Sequence, residues 1–163
     1  MVRNCADLGE LLRKMMTRLL ANQNLMKLLY YTDKDPFSQP DLTKEQIQKE
    51  IFDKLIRITP RISPNDLKNA NSAVALRITS GIETGNQEFR NINFSIDSVV
   101  PLEQWIMKND NLRPFLIMGE IENSLKGKTI NGLGKIQGGD FTLSFLTEEV
   151  SGYQQDFSLT TYD

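Results

Sequence analysis

Apolar residues near the start of the chain recur at three- and four-residue intervals: Leu8, Leu11, Leu12, Met15, Met16, Leu19 and Leu20. This spacing puts them on one face of a helix, so the pattern predicts an amphipathic packing helix. Asn22-Gln23-Asn24 interrupts it, and Leu25, Met26, Leu28 and Leu29 resume a shorter turn of helix before Tyr30-Tyr31. Pro36 and Pro40 make the stretch beginning at Thr32 a non-repetitive excursion. Thr43 and, three residues on, Gln46 have the form of a capping box. Ile47, Ile51 and Phe52 follow at helical spacing, which predicts a short helix from 44 to about 53.

The periodicity then changes. Ile56 and Ile58 begin an extended piece ending at Pro60, and Pro64 with Asn65-Asp66 marks a loop. Val74, Leu76, Ile78 and Ile82 alternate with polar or small residues, as in an edge or half-buried strand. Thr84-Gly85-Asn86 reads as a turn, after which Ile92, Phe94 and Ile96 occupy one face and Asn91, Asn93, Ser95 and Asp97 the other. The two runs predict an antiparallel hairpin. Val99-Val100-Pro101 is expected to leave the sheet, because proline cannot donate to a central ladder.

Arg113-Pro114 places a proline in the first turn of a second helix, whose apolar face is Phe115, Ile117, Met118, Ile121 and Leu125. Gly127 is expected to end it in the left-handed conformation. Two alternating runs close the chain, Phe141, Leu143 and Phe145, then Tyr153, Phe157 and Leu159, with Ser151-Gly152 read as the turn between them. The order of elements predicts a single α+β domain over residues 1–163: a mainly antiparallel twisted sheet, with a long N-terminal helix and a second helix packed on one face.

Composition narrows the chemistry. The 163 residues include 0 His and 1 Cys, Cys5. Lack of histidine removes Ser-His and Cys-His nucleophile systems, the HExxH zinc site and any imidazole shuttle. Cys5 has no intrachain partner for a disulfide, and its only close charge is Arg3, too little to activate a thiolate. The early apolar residues are interspersed with charges, so neither a signal peptide nor a membrane span is expected. Charge is uneven: residues 1–31 hold 5 basic and 2 acidic side chains, residues 97–163 hold 5 and 10. This polarity suits head-to-tail packing of copies, or simply two solvated faces. No basic stripe with interleaved aromatics points to nucleic-acid recognition.

Several short motifs fail on inspection. Gly127-Lys128-Thr129 resembles the end of a phosphate loop, but the glycine required five residues before Gly127 is Glu122, and the motif follows a helix where it should introduce one. Gly138-Gly139-Asp140-Phe141 resembles part of the diguanylate cyclase hairpin without the further acidic residue. Asp33, Asp35 and Asp41 invite a calcium loop, yet Phe37, Ser38 and Lys44 fall where a ligand, a glycine and a glutamate are needed. Glu120 and Glu122 point to different faces of their helix, and Glu148-Glu149 lies in a turn, so neither is a paired acid-base site. The expectation is of no enzyme, no cofactor and no metal. The segment Pro101-Leu102-Glu103-Gln104-Trp105-Ile106-Met107 is unusually apolar for a connection; it either plugs its own core or meets a partner.

The stretch Phe94-Ser95-Ile96-Asp97-Ser98-Val99-Val100-Pro101, the helix Arg113-Pro114-Phe115-Leu116-Ile117-Met118-Gly119-Glu120-Ile121 and the closing run from Gly138 to Tyr162 resemble the tail terminator (tail completion) proteins of tailed bacteriophages. The resemblance implies a virion protein of the head-to-tail interface, assembled in the host cytoplasm. It implies a homo-oligomeric, hexameric ring that caps the tail tube protein and faces the head connector or neck protein. DNA would cross its channel without specific binding, and no membrane is involved. Within it, Pro101, Leu102, Trp105, Ile106, Glu148 and Glu149 are the expected subunit or partner interface, and Asp97 and Asp140 the expected channel-facing acids. A neck, stopper or adaptor protein of the same interface is the nearest alternative. A small intracellular enzyme or ligand-binding domain, using carboxylates and the glycine-rich stretch from 127 to 139, is the alternative from another class.

Overall fold

A computed structural model describes residues 5–60, 71–83, 89–130 and 134–162. The readings made at residues 64–66 and 84–86, and positions 131–133 of the glycine-rich stretch, lie outside them. Helix α1 spans Leu8–Leu20 and α2 Gln23–Tyr30. The break between them is enforced by Asn22, an N-cap in extended conformation whose side chain accepts from the Leu25 N–H at 3.1 Å. The same amide donates to Glu120 O at 3.2 Å, Glu120 Oε2 at 2.9 Å and Ser124 Oγ at 3.0 Å, fastening the start of α2 to a later helix. The excursion is tied back by Gln23, whose amide exchanges hydrogen bonds with the Leu42 backbone at 2.9 and 3.1 Å.

The capping box forms as expected: Gln46 N–H donates to Thr43 Oγ1 at 3.2 Å and Thr43 N–H to Gln46 Oε1 at 2.9 Å. The helix behind it is shorter than its spacing predicts. Helix α3 covers only Lys44–Gln46 and widens into a π-turn over Ile47–Ile51, where the Phe52 N–H reaches back to Ile47 O at 2.9 Å. The wider turn buries Ile51 completely.

Among the described residues five strands, β1 (Ile56–Ile58), β2 (Ala73–Glu83), β3 (Phe89–Pro101), β4 (Gln137–Phe145) and β5 (Val150–Tyr162), form one sheet in the order β1-β2-β3-β5-β4. All neighbours are antiparallel except β1 and β2. The fold is therefore α+β with a mostly antiparallel sheet, as the pattern predicts. Ile92, Phe94 and Ile96 of β3 share a buried face with Val74, Leu76, Phe157 and Leu159. Against it pack Leu11, Met15 and Leu19 of α1, Leu25, Met26, Leu28 and Leu29 of α2, and Ile117, Ile121 and Leu125 of α4 (Arg113–Leu125). Phe94 and Phe157, opposite each other in the register, stack at 5.4 Å and 15°, adding about 1 kcal/mol beyond the area they bury.

Three expectations about the sheet are corrected. First, β3 does not leave at Val99 but continues through Pro101, which lies opposite Val150. Proline is tolerated because Leu102 N–H makes the ladder bond, to Glu149 O at 2.9 Å, and β2 starts opposite Val99, so the proline nitrogen faces no ladder partner. Second, Ser151-Gly152 is no turn. The turn is Thr147–Val150, closed by Thr147 Oγ1 accepting from the N–H groups of Glu149 and Val150 at 3.2 and 3.1 Å. Third, Ala73 to Leu76 are buried on both faces, where the alternation predicts half-burial. Ala73 and Ala75 pack with Val99, Val150 and Leu146 in a small second cluster on the side away from the helices.

Helix α4 ends at Leu125 with Lys126 as an extended C-cap, one residue before the glycine expected to cap it. Gly127 has φ +72 in a turn that returns the Lys128 N–H to Leu125 O at 3.1 Å, a conformation that other residues adopt at a cost.

Candidate functional site

Register divides the expected site residues between two surfaces. Asp97 and Asp140 lie on the polar face of the sheet, away from the helices, with Asn91, Asn93, Ser95, Gln154 and Asp156. There they differ. Asp97 is paired with the Arg77 guanidinium, which also donates to Gln154 Oε1 at 2.6 Å, so its charge is neutralised locally. Asp140 is exposed and sits opposite Asp156, whose carboxylate accepts from Ser95 Oγ and from Gln154 Nε2 at 2.9 Å. Sequence spacing identifies the face but not Arg77, which reaches Asp97 from the neighbouring strand. This face carries a shallow polar concavity of about 490 Å³ lined by Ser80, Asn93, Ser95, Asp140, Gln154 and Asp156. Among the described residues, no three His, Cys, Asp or Glu side chains gather as a metal site would require.

The second surface begins at the segment 101–107, whose residues are divided between the core and the exposed surface. Pro101, Gln104 and Met107 are buried and Trp105 packs partly on the main core, while Leu102 and Ile106 are 48% and 56% exposed. Trp105 leads to an aromatic group that the sequence gives no sign of, because its members come from three elements. The Tyr153 ring of β5 lies 6.3 Å from Trp105, 5.2 Å from Phe115 of α4 and 5.8 Å from Phe141 of β4. Phe115, Phe141 and Leu143 remain 43%, 57% and 44% exposed. The result is an apolar band from the Trp105 segment across the start of α4 to the outer strand of the sheet. Glu148 and Glu149 are exposed in the Thr147–Val150 turn at one end of that strand.

One side chain holds this surface to the body of the fold. Arg113 is fully buried at the start of α4. It donates through Nε to Gln104 O at 3.2 Å and through Nη1 to Leu28 O and Tyr31 O, both at 2.7 Å, and Nη2 donates to Asp33 O. Burial pushes its pKa below the usual arginine value, and Asp33 opposes the shift. The acceptors include the end carbonyls of α2, where the helix dipole favours a cation.

The acids of the excursion are dispersed instead of converging. Asp41 pairs with Lys27 and Asp35 with Lys108, both at 2.8 Å. The hydrogen bond from Lys108 holds the Asp35 carboxyl below its ordinary value of 3.8, against a smaller opposing effect of burial. Because the folded pKa is the lower one, the stabilisation is complete above the ordinary value and is lost as the pH falls through the depressed one. An NMR titration of Lys108→Met is expected to return the Asp35 pKa towards 3.8; an unchanged midpoint would show that the lysine does not hold it.

No helix among the described residues is long and apolar enough to cross a membrane. Glycines 138 and 139, which invite comparison with a catalytic hairpin, instead carry positive φ values of 105 and 106 at a bulge that opens β4. No curated protein matches the chain. A family model does: YomW, over residues 22–159, from the N-cap of α2 into strand β5. The chain thus belongs to the YomW family, a family derived from Bacillus phage, and is a phage-related protein.

Proposed function

We propose that the protein is a non-enzymatic virion component, a tail terminator whose copies close into a hexameric ring on the end of the tail tube and face the head connector. The observation that carries this reading is the exposed apolar surface of Leu102, Ile106 and Phe115 around the Trp105–Tyr153 contact. A band of this kind on a rigid sheet and helix is suited to protein contact. Phage descent supports the same class of role. In this reading Pro101, Leu102, Trp105, Ile106, Glu148 and Glu149 meet the next subunit or the tube, and the polar sheet face turns towards the channel. Asp140 supplies free negative charge there, denying DNA the counterion-release attraction that a basic lining would offer.

The test combines mass and assembly. Light scattering across a concentration series is expected to show a species six times the 18.6 kDa chain, or a pair of such rings, alone or after addition of tail tubes. Infection by phage lacking the gene is expected to yield overlong tubes, restored to length by the wild-type protein and poorly by Trp105→Ala. Tubes of normal length without the protein would exclude the terminator role. A neck or stopper position at the same interface predicts normal tubes with unjoined heads. The concavity beside Asp140 and Asp156 favours a second reading, a small polar-ligand domain. A ligand at a hundred times its Kd would then raise stability by about 2.7 kcal/mol in a thermal-shift screen.

A further inference from the structure

We propose that the outer strand β4 is the seat of a two-fold contact between two copies of this chain, each adding its β4 antiparallel to the other. Among the described residues, strand β4 lies at the edge of the sheet. Its start is irregular: the backbone bulges between Gly138 and Asp140, and a Cβ on Gly139 would meet Glu122 Oε1 of α4 at 2.7 Å. From Asp140 to Leu143, however, four successive residues are exposed. The run Phe141-Thr142-Leu143-Ser144-Phe145 contains no charge, proline or glycine. Edge strands that stay single are normally blunted by such residues, and this one has none past its bulge.

The occupant is a second copy because the strand is complementary to itself. Centring the pair on Thr142 sets Phe141 opposite Leu143 of the partner subunit, twice, on the face that already carries Phe115 and Tyr153. Asp140 then faces the Ser144 hydroxyl and not another carboxylate. Centring on Phe141 would leave both Leu143 side chains opposite glycine. Charge agrees: the exposed Lys126, Lys128 and Lys135 lie near the start of β4, and the exposed Glu148 and Glu149 at its end. An antiparallel pair brings each basic end to an acidic one. At the opposite edge of the sheet β1 has only 3 residues, and its Ile56 carbonyl is occupied by the Asp53 N–H at 3.0 Å, so it offers no comparable template.

The contact is isologous and generates pairs, so it cannot itself close a ring and does not depend on the ring reading. Light scattering separates the two. A mass twice the 18.6 kDa chain supports the β4 contact alone, and twelve times that mass supports it together with the ring. Register is tested by oxidation in a Cys5→Ser background. Thr142→Cys is expected to crosslink nearly completely into covalent dimers, since paired positions fall within disulfide reach. Asp140→Cys is expected not to crosslink, because the two copies of that position lie about 13 Å apart along the strands. Phe141→Lys, at an exposed site, should give a monomer or a plain six-fold species with an unchanged circular dichroism spectrum. A wild-type chain that stays monomeric throughout, a six-fold species without Thr142→Cys crosslinks, or equal crosslinking at 140 and 142 would each overturn the proposal.

Discussion

Replacing Arg113 by methionine is expected to lower the unfolding free energy by about 4 kcal/mol, enough to bring thermal melting down by roughly 10 °C in a chain of this size. Methionine keeps much of the buried volume but none of the donors. Four backbone carbonyls, of Leu28, Tyr31, Asp33 and Gln104, then lose their partner. Each acceptor left buried costs about 1–3 kcal/mol, and those nearer the surface recover water. Arg113→Lys should fall between the two, because an ammonium has three donors and no planar fork with which to reach four acceptors. The loss is local as well as global. Arg113 is the joint between the end of α2 and the Trp105 segment, so amide exchange at residues 102–107 should quicken more than exchange in the β3–β5 ladder. Uniform quickening would show that the arginine acts only through total stability.

Gly152→Ala is expected to cost about 3 kcal/mol or more, at the upper end of what over-packing does. A Cβ at this position would fall on the Ser98 carbonyl oxygen and come within 2.9 Å of the Val99 Cα. The obstacle is backbone, held in place by β2 on its other side, so no side chain can rotate out of the way. Gly119→Ala is the control. It lies exposed in α4 with nothing within 4 Å of the new methyl, and should stabilise by about 1 kcal/mol through helix propensity alone. Urea denaturation of both variants checks the pair; similar losses at the two glycines would refute the close-approach argument for Gly152.

The same two residues show where reading from sequence runs out. Helix periodicity, the break at Asn22, the Thr43–Gln46 box and the proline at the start of α4 are local signals, and each is realised where the spacing puts it. The alternation in β3 correctly divides Phe94 and Ile96 from Ser95 and Asp97. Gly152 and Pro101 misled because their roles depend on a neighbouring strand: a glycine can mark a close approach as readily as a turn, and a proline is tolerated wherever its nitrogen faces no partner. Arg113 looked like an ordinary first-turn residue because its acceptors are carbonyls, which leave no trace in side-chain pattern. Of the candidate surface, the polar side and the Trp105 segment were legible. The ring group around Tyr153 was not, since Phe115, Phe141 and Tyr153 are brought together only by tertiary packing.

The order of strands also bears on how the protein is made. Strand β5 lies between β3 and β4, yet it follows both in the chain. During synthesis β3 and β4 therefore emerge before the strand that separates them, and the thirteen-pair ladder from Phe89 to Pro101 has no partner on that side until β5 itself leaves the ribosome. For that interval the nascent chain carries two open strand edges, one of them the uncharged run of β4. Expression at high temperature should therefore lose protein to inclusion bodies out of proportion to the stability of the finished fold, and slower translation or chaperone supply should recover it.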